Sequence, residues 1–297
     1  MFILLSGASG FLGTIIKRNL FYDSIASVGR VNSDYNCDLA QTIPTFSQKF
    51  DLIIHAAGKA HSVPKTQADR LDFFNVNVDG TANLLKGVAG LPQMPKAFVF
   101  ISSVSVYGLT TGTLVNEEAL LDANDSYGLS KIKAESIVQE WCHKHGVVCS
   151  IFRLPLVAGT NPNGNLKSMI NGIKRGYYFD IAEGKARKSI VLADDIAKII
   201  PKAAEVGGIY NLTDGHHPSF SELSELIAKQ LGQNKPPNIP YWLATIMAKT
   251  GDILGSNAPI NSDKLLKITS DLTFDDSKAR KLLGWNPTRV LEEFKIK

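Results

Sequence analysis

Short, fully apolar runs alternate with longer amphipathic segments through the first half of the chain. The clearest runs span residues 2–5, 52–54, 97–101 and 147–152, the last apart from Cys149 and Ser150. Strands that are buried on both faces form such continuous runs, as in parallel sheets covered by helices. The alternation therefore predicts an α/β fold built on a doubly wound parallel sheet.

Two segments between these runs carry an apolar face at helical spacing. The second spans residues 127–145 and ends before Gly146, which is a typical helix stop. The first face comprises Phe11, Leu12, Ile15, Ile16 and Leu20.

The pattern changes after residue 160. Residues 160–164 are typical of a loop, residues 166–175 and 219–231 of helices, and the prolines at 236, 237 and 240 of an extended connector. We therefore predict a smaller, mainly C-terminal substrate-binding lobe. The predicted larger domain comprises residues 1–160 with residues 188–214 returning to it, and the smaller lobe comprises residues 161–187 and 215–297.

Residues 241–254 are unusually apolar, because residues 241–247 form one run that ends before Lys249. A helix lying on a membrane surface is one interpretation. Asp252 and the shortness of the run favour the other, a helix packed on the smaller lobe.

Composition narrows the class of protein. The 297 residues are 44% hydrophobic and 20% charged, which is ordinary for a globular chain and excludes disordered and fibrous classes. The net charge of +4 comes without a long basic run, which argues against a nucleic-acid partner. Such a mild excess can still help to attract a phosphorylated ligand.

The cysteines and the N-terminus favour a cytoplasmic protein. Cys37, Cys142 and Cys149 include no Cys-x-x-Cys pair, which fits a reducing compartment. His143 and His145 lie near two of them at no standard zinc spacing, so we expect no metal site. No apolar stretch reaches the roughly 20 residues of a membrane span. The N-terminus lacks the basic region of a signal peptide.

Three glycines follow the first predicted strand and open the first predicted helix. Gly7, Gly10 and Gly13 allow a tight turn and a close backbone approach, with a helix N-terminus directed at a pyrophosphate. A strand, a glycine turn and a helix in this order are typical of a dinucleotide site.

The residue after the second strand bears on the choice of dinucleotide. An acidic side chain is expected there, about 20 residues after the turn, to bind the adenosine ribose of NAD. The position holds Arg30, which can pair with a 2′-phosphate, so NADP is slightly favoured over NAD. The alternative is that Arg30 is solvated and Asp34 reaches back to the ribose.

Tyr127 and Lys131 lie four residues apart at the start of a predicted helix and therefore on one face of it. A phenol with a pKa of about 10 needs a shift of roughly three units to act as a base near neutrality. A cation about 4 Å away supplies roughly that much at an effective dielectric constant near 20. The pair can therefore form a tuned general acid/base.

Serines follow the apolar run at 97–101, where ligands bind in open α/β sheets. Ser102, Ser103 and Ser105 are the candidates. A hydroxyl at this edge can orient a substrate oxygen that gains or loses a proton, or it can simply cap the strand end.

These motifs together resemble the extended short-chain dehydrogenases/reductases, in the NAD(P)-dependent epimerase/dehydratase group that acts on sugar nucleotides. The resemblance covers nearly the whole chain. It rests on the glycine turn, Asp38-Leu39, His55-Ala56-Ala57-Gly58, Asn77-Val78-Asp79-Gly80-Thr81, Ser103 before Tyr107-Gly108, Tyr127 with Lys131, Arg153-Leu154-Pro155, and residues 275–280 with Leu283-Gly284-Trp285.

The resemblance implies a Rossmann-like fold and assigns roles to residues. Ser103, Tyr127 and Lys131 match the catalytic set. The substrate-binding candidates are Ser103, Ser105, Arg187 and Lys188, with Asn165 and Arg280 as weaker ones. The implied cofactor contacts are Gly7, Ser9, Gly10, Phe11, Leu12, Gly13, Arg30, Asp38, Leu39, Ala56, Ala57, Gly58, Asn77, Ser102, Tyr127, Lys131 and Pro155. His61 could also line the pocket, although a surface loop position fits it better.

Departures from the family pattern narrow the reaction. The sugar-nucleotide dehydratases carry an Asp-Glu pair where this chain has Val104 and Ser105, so 4,6-dehydration lacks its acid and base. The 4-epimerases of UDP-galactose usually carry an asparagine where this chain has Leu156.

Two reactions at the C4 atom of a nucleotide diphosphate sugar remain open. One is a 4-epimerisation, which overall resemblance favours. The other is the NADPH-dependent reduction of a 4-keto-6-deoxy sugar, which Arg30 and Leu156 favour. A dinucleotide-binding sensor without turnover is a distant third, since such proteins commonly lose the Tyr or the Lys. The family also implies a possible homodimer.

Overall fold

The computed structural model describes residues 1–21, 23–60, 62–254 and 260–296. The strands are β1 (Phe2–Ser6), β2 (Ser24–Gly29), β3 (Tyr35–Asn36), β4 (Leu52–His55), β5 (Ala97–Ser103), β6 (Gly112–Val115), β7 (Val148–Leu154), β8 (Leu156–Ala158), β9 (Asp180–Ile181), β10 (Ile190–Leu192), β11 (Gly208–Asn211), β12 (Asn238–Ile239) and β13 (Leu272–Phe274).

The α-helices are α1 (Phe11–Asn19), α2 (Gln67–Phe74), α3 (Gly80–Ala89), α4 (Ser126–His145), α5 (Gly164–Lys174), α6 (Ala193–Val206), α7 (Phe220–Gln230), α8 (Tyr241–Leu254), α9 (Ser262–Thr269), α10 (Ser277–Leu283) and α11 (Val290–Glu293). A π-helical turn (Asn75–Asp79) joins α2 to α3, and a 3-10 turn (Val104–Tyr107) follows β5.

A seven-stranded sheet in the order β11-β7-β5-β4-β1-β2-β3 forms the centre of the molecule, and every neighbouring pair in it is parallel. This confirms the predicted doubly wound α/β fold. The order reverses at β1, so ligands are expected at the carboxyl ends of the strands beside it. Because the strands are parallel, all of them end at the same edge of the sheet, and this edge carries the glycine turn.

Both faces of the sheet are buried, which explains the continuous apolar runs. Along β1 and β4, successive side chains enter two different apolar clusters. Leu5 and Ile54 pack beneath α1 and α6, whereas Leu4 and Ile53 pack with α3 and α4 on the opposite face. A strand with one solvated face would instead alternate apolar and polar residues.

Three two-stranded parallel pairs, β8–β10, β9–β12 and β6–β13, lie outside the central sheet. A separate apolar cluster joins α5 and α7 through Leu166, Met169, Leu223 and Ile227. The segment expected to be a loop at 160–164 is shorter, because α5 begins at Gly164. The exact division into a larger domain and a smaller lobe remains a prediction, although β11 from the predicted returning segment does join the central sheet.

Candidate active site

The glycine turn packs so closely that two of its positions exclude any side chain. A Cβ atom on Gly13 would lie 2.0 Å from the carbonyl oxygen of Gly7, and one on Gly7 would lie 2.6 Å from the amide nitrogen of Ala57. Gly10 begins α1 without a side-chain cap, so the first-turn N–H groups keep no partner from a capping residue. Such a helix end favours an anion, and the turn therefore fits the pyrophosphate of a dinucleotide.

A buried chain of hydrogen bonds fixes the turn against the segment after β4. The amide of Ala57 donates to Ser6 Oγ (3.2 Å), and Ser6 Oγ lies 2.5 Å from His55 Nδ1. His55 Nε2 lies 2.9 Å from Thr81 Oγ1, which donates to the carbonyl of Asn77 (2.6 Å). Burial lowers the pKa of His55 to about 3, so the imidazole is neutral and one nitrogen donates while the other accepts. Each donor in this series of hydrogen bonds then has an acceptor, if every bond points from Ala57 towards Asn77.

Asn77 lies in the π-helical turn and holds the backbone of Lys59 on both sides. Its Oδ1 accepts from the Lys59 amide (2.7 Å), and its Nδ2 donates to the Lys59 carbonyl (3.1 Å) and to Ser130 Oγ (2.9 Å). A Cβ on Gly58 would lie 3.1 Å from Asn77 Oδ1 and 3.3 Å from Lys131 Nζ. Gly58 therefore allows the chain to pass close to both side chains.

Lys131 is a buried cation beside Gly58. Its Nζ donates to the carbonyl of Ile101 (2.9 Å) and lies 4.7 Å from the centre of the Phe100 ring. Burial lowers the pKa of Lys131 to about 8, against an opposing effect of the Glu135 carboxylate. The side chain therefore carries a positive charge near neutrality, next to Gly58.

Tyr127 and Ser103 meet across the interface between α4 and β5. Asp125 caps α4 by accepting from the amides of Tyr127 and Gly128 (both 3.0 Å), which fixes the start of the helix. Ser103 Oγ donates to Ser105 Oγ (3.1 Å) and accepts from the Ser105 amide (3.2 Å), and the Ser103 hydroxyl is near enough to Tyr127 to lower its pKa. The three predicted hydroxyl groups thus form one cluster.

The pKa of Tyr127 differs from the sequence argument in direction. Burial raises it above the ordinary value of a phenol, and the hydrogen bond with Ser103 lowers it only in part. Lys131, which was expected to lower it, is bonded to the Ile101 carbonyl instead. The protein alone therefore holds Tyr127 as a neutral phenol at pH 7, which is a proton donor.

Beneath this cluster lies a buried ion pair that sequence reasoning did not single out. Arg153 Nη2 lies 2.8 Å from Glu135 Oε2, and Arg153 Nη1 donates to Tyr107 Oη (3.1 Å). Tyr107 in turn donates to Asn211 Oδ1 (2.8 Å), so the network joins α4, β7, the 3-10 turn and β11. The sequence contains a signal for Glu135, because this residue lies four positions after Lys131 and therefore on the same helix face.

The Ser102 hydroxyl is bonded within the protein. It is buried, and its hydroxyl donates to Glu135 Oε1 at 2.5 Å. Adjacent residues of a strand point to opposite faces, so Ser102 and Ser103 cannot both direct their side chains into the cleft. The predicted contact of Ser102 with the cofactor stays a prediction.

Arg30 and Asp34 lie at the end of β2. Because Val28 is in register with Ser6, Arg30 is placed beside the glycine turn, where its side chain is exposed. The Asp34 carboxylate accepts from the amide (2.8 Å) and the hydroxyl (2.7 Å) of Ser27. Both bonds go to Oδ2 of the exposed Asp34, which holds its own loop on the strand, and the alternative in which Asp34 reaches a ribose stays open.

Asp38 and Leu39 follow β3 next to α3. Asp38 Oδ1 accepts from the amide of Ala40 (3.1 Å), and the carbonyl of Leu39 accepts from Asn83 Nδ2 (2.9 Å). Leu39 is buried and Asp38 half-buried, so this pair forms part of the wall beside β3. Its contact with an adenine remains a prediction.

The remaining predicted cofactor contacts begin α1 or follow β4 and β7. Ser9 is exposed, whereas Phe11 and Leu12 are half-buried in the first turn of α1. Pro155 directly follows β7, in which Leu154 is in register with Ser103. Around one sheet edge the fold thus gathers Gly7, Gly10, Gly13, Ala56, Ala57, Gly58, Asn77, Ser103, Tyr127, Lys131 and Pro155.

The predicted substrate contacts of the smaller lobe are not joined to this cluster. Arg187 Nη1 donates to the carbonyl of His217 (3.1 Å), and Lys188 Nζ donates to the carbonyl of Ser270 (2.8 Å). Asn165 is exposed in the first turn of α5, and Arg280 pairs with Asp276 at 2.8 Å. Among the described residues, no hydrogen bond or ion pair connects these four side chains to Ser103, Tyr127 or Lys131. Their roles stay predictions.

Some expectations concern absences or residues outside the description. His61 lies outside the described residues. Within residues 1–21, 23–60, 62–254 and 260–296, no cluster of three His, Cys, Asp or Glu side chains has the arrangement of a metal site. No helix in the same part of the chain is long and apolar enough to cross a membrane.

Comparison with known proteins places this chain in a family. The model of the NAD dependent epimerase/dehydratase family matches residues 3–213. The chain is 28% identical to a UDP-glucose 4-epimerase of Vibrio cholerae, over 98% of this chain and 92% of that protein. It is 27% identical to an N-acetyl-alpha-D-glucosaminyl-diphospho-ditrans,octacis-undecaprenol 4-epimerase of Escherichia coli O157:H7, over 93% and 88% of the two chains.

Solved structures share the fold over almost the whole chain. RMD of Pseudomonas aeruginosa, complexed with NADPH, aligns with a TM-score of 0.77 at 19% identity, covering 99% of this chain and 96% of that one. A UDP-glucose 4-epimerase of Thermotoga maritima, with UDP-glucose, aligns with a TM-score of 0.76 at 19% identity and the same coverage. At this identity the likeness concerns the fold.

Proposed function

The chain belongs to the NAD dependent epimerase/dehydratase family, and we propose that it transfers a hydride at C4 of a nucleotide diphosphate sugar, using Ser103, Tyr127 and Lys131. One observation carries the proposal. The Ser103 hydroxyl is near enough to Tyr127 to lower its pKa, and the buried Lys131 follows one helical turn later on α4. When bound, NAD(P) supplies the acceptor or donor of the hydride.

Each member of the set has a distinct role in this proposal. Tyr127 moves the proton on the C4 oxygen, and Ser103 orients that oxygen by a hydrogen bond. Lys131 binds the nicotinamide ribose and keeps a positive charge next to it. The first-turn N–H groups of α1 bind the pyrophosphate. The tight packing of Gly7 and Gly13 supports this last role, since a side chain at either position would collide with the backbone.

The carrier end of the substrate is assigned to the smaller lobe. In this proposal Ser105, which accepts a hydrogen bond from Ser103, contacts the sugar. Arg187 and Lys188 are the candidate ligands of the diphosphate, and each would exchange a backbone carbonyl for a phosphate oxygen. The relatives suggest two kinds of carrier, since one is named for UDP-glucose and the other for a diphospho-undecaprenol.

The reduction of a 4-keto sugar with NADPH is the second candidate, and two observations favour it. Tyr127 has a raised pKa, which suits a phenol that gives a proton to the oxygen of a ketone being reduced. Arg30 is exposed beside the glycine turn, while the Asp34 carboxylate is bonded to Ser27. An exposed arginine at this position favours a 2′-phosphate.

The nucleotide released from the purified protein by acid separates the two reactions. Tightly held NAD(H) is expected of a 4-epimerase, because its catalytic cycle regenerates the cofactor in place. An empty site that binds NADPH more tightly than NADH is expected of the reductase. For the reductase, 4-keto-6-deoxy sugar nucleotides are the first substrates to assay. For the 4-epimerase, UDP-glucose and UDP-N-acetylglucosamine are the first.

The catalytic set is tested by Tyr127→Phe. Turnover should fall at least about 100-fold, because a phenyl ring cannot transfer the proton, while the affinity for NADPH in a fluorescence titration changes little. Tyr177→Phe is the matched control, since Tyr177 is exposed in the segment that follows α5. Turnover of Tyr127→Phe within threefold of the wild type would remove Tyr127 from the mechanism.

A further inference from the structure

Two side chains, one on α2 and one in the π-helical turn that follows it, contact the start of α4. Phe73 packs on Tyr127, with the ring centres 6.0 Å apart and the ring planes at 55°. Asn77 Nδ2 donates to Ser130 Oγ (2.9 Å), and this hydroxyl donates to the carbonyl of Tyr127 (2.7 Å). These contacts therefore hold both the backbone and the aromatic ring of Tyr127.

Lys59 is joined to both of these contacts. Its amide and its carbonyl are bonded to the Asn77 side chain (2.7 and 3.1 Å). Its Nζ lies 5.3 Å from the centre of the Phe73 ring and forms an ion pair with Asp72, the residue before Phe73 on α2. Contacts thus run from Lys59 to Tyr127 by two routes, one through Asn77 and one through Phe73, and together they form a closed path.

The ion pair of Lys59 and Asp72 is the part of this path that is open to water. The two side chains are 25% and 49% exposed, whereas Phe73 and Asn77 are each 1% exposed. An ion pair in contact with water adds little to the stability of a fold. A cation that binds a carboxylate and the face of the neighbouring aromatic ring does, however, restrict the orientation of that ring. The arrangement is therefore better suited to orienting Phe73 than to stabilising α2.

The ring of Tyr127 depends on such packing for its orientation. Lys131 Nζ donates to the carbonyl of Ile101, and Asp125 accepts from the backbone amide of Tyr127, so neither charged group holds the phenol in place. Proton transfer requires the phenol within hydrogen-bond reach of the substrate oxygen, and a misplacement of about 1 Å can cost about a hundredfold in rate. The contact with Phe73 thus bears directly on the proposed reaction.

We propose that Lys59 is a positioning residue for Tyr127. Its ammonium group, held by Asp72, keeps the Phe73 ring against the Tyr127 ring and so fixes the phenol for proton transfer. The part that concerns proton transfer rests on the proposed function. The competing role for Lys59 is direct binding of a phosphate of the cofactor or the substrate, and the experiments below separate the two.

The first experiment measures the Tyr127 ring without any assay of activity. A tyrosine ring held in one orientation contributes to the near-ultraviolet circular dichroism, and a mobile ring contributes much less. The contribution of Tyr127 is the difference between each protein and the same protein with Tyr127→Phe. In Lys59→Met, which keeps the aliphatic chain and loses the charge, it should fall by about half or more. In Lys59→Arg, which keeps the charge and can stack on Phe73, it should stay near the wild-type value.

Lys202→Met is the matched control for the loss of an ion-paired lysine. Lys202 is paired with Glu205 at 3.1 Å, and it lies on α6, on the face of the sheet opposite α4. This substitution should leave the contribution of Tyr127 unchanged. An unchanged contribution in Lys59→Met, or an equal loss in Lys202→Met, would overturn the proposal.

Asp72→Asn tests whether the carboxylate acts through Lys59. It should cause part of the loss seen in Lys59→Met, and it should cause no further loss when it is added to Lys59→Met, because the group that it holds is then absent. A further loss in the double variant would show that the two residues act independently, contrary to the proposal. Far-ultraviolet circular dichroism checks that each variant folds.

Kinetics connect the orientation of the ring with the reaction. In Lys59→Met, kcat should fall about tenfold while KM and the affinity for NADPH stay within about twofold, and Lys59→Arg should restore kcat. A raised KM or weaker NADPH binding at unchanged kcat would show that Lys59 binds a ligand directly and would overturn its positioning role. A wild type that turns over no nucleotide sugar, while the circular dichroism changes as expected, would overturn the proposed function and leave the fixing of the Tyr127 ring standing.

Discussion

Lys131 is a buried cation whose charge depends on pH within the ordinary range of an assay. Its pKa is lowered to about 8 by burial, so the ammonium group dominates below pH 8 and is lost as the pH rises through that value. If the charge binds the nicotinamide ribose as proposed, kcat/KM should fall above about pH 8, approaching tenfold per pH unit. A pH profile of kcat/KM measures this.

Glu135→Gln provides the control for that profile. The Glu135 carboxylate raises the pKa of Lys131, so its removal should move the alkaline limb to lower pH. A purely structural role of Glu135 would lower the activity at every pH alike. An alkaline limb at the same pH in the wild type and in Glu135→Gln would contradict the assignment of that limb to Lys131.

Single residues could be predicted from the sequence where spacing alone places them. Tyr127 and Lys131 share a helix face by their interval of four, and the glycines are fixed by the turn that they form. The engagement of Asp34 with Ser27 and of Ser102 with Glu135 could not be predicted, because each bond depends on which neighbouring element meets the side chain. The raised pKa of Tyr127 likewise comes from burial, which is a property of the folded chain.

At the level of elements, α1 and β1 meet at a turn that tolerates no side chain at Gly13. Gly13→Ala would place a methyl group 2.0 Å from the Gly7 carbonyl oxygen, so α1 must move away from the turn. We expect a loss of about 1–3 kcal/mol in the free energy of unfolding, as for overpacked sites, and at least tenfold weaker NADPH binding. Urea unfolding and fluorescence titration measure the two effects.

Gly90→Ala is the matched control for this substitution. Gly90 has a negative φ at the end of α3, and its nearest atom, the Gly87 carbonyl oxygen, would lie 3.4 Å from the new methyl group. It should change neither quantity much. Equal effects of Gly90→Ala and Gly13→Ala would show that the close packing of the turn is not what the substitution disturbs.

Elements buried on both sides were predictable because their apolar runs have one explanation. The strands β1, β4, β5 and β7 are confirmed within one or two residues of the predicted ends. The short strands β8, β9, β10 and β12 of the later part were not identified, since two or three residues carry no periodicity. The orientation of α8 was also beyond prediction, because an apolar helix does not reveal which of its sides faces the core.

Across the whole molecule, the buried His55 couples acid stability to the fold of the cleft, since its bonds join β1, β4 and α3. Its folded pKa is about 3, well below the unfolded value of about 6.5. Between these values the unfolded chain binds a proton that the folded chain does not. The contribution of His55 is therefore present above pH 6.5 and is lost as the pH falls, by about 1.4 kcal/mol per unit.

The wild type should accordingly lose about 2–3 kcal/mol of unfolding free energy through His55 between pH 6.5 and 4.5. The substitution His55→Gln replaces the imidazole with an amide that can both donate and accept a hydrogen bond but does not titrate. The stability of this variant should therefore fall less steeply over the same range. His143→Gln, at an exposed position of α4, should follow the wild type. Urea unfolding of the three proteins at several pH values measures the slopes. Parallel slopes in the wild type and His55→Gln would mean that acid sensitivity comes from other groups and that His55 takes its proton without unfolding the sheet edge.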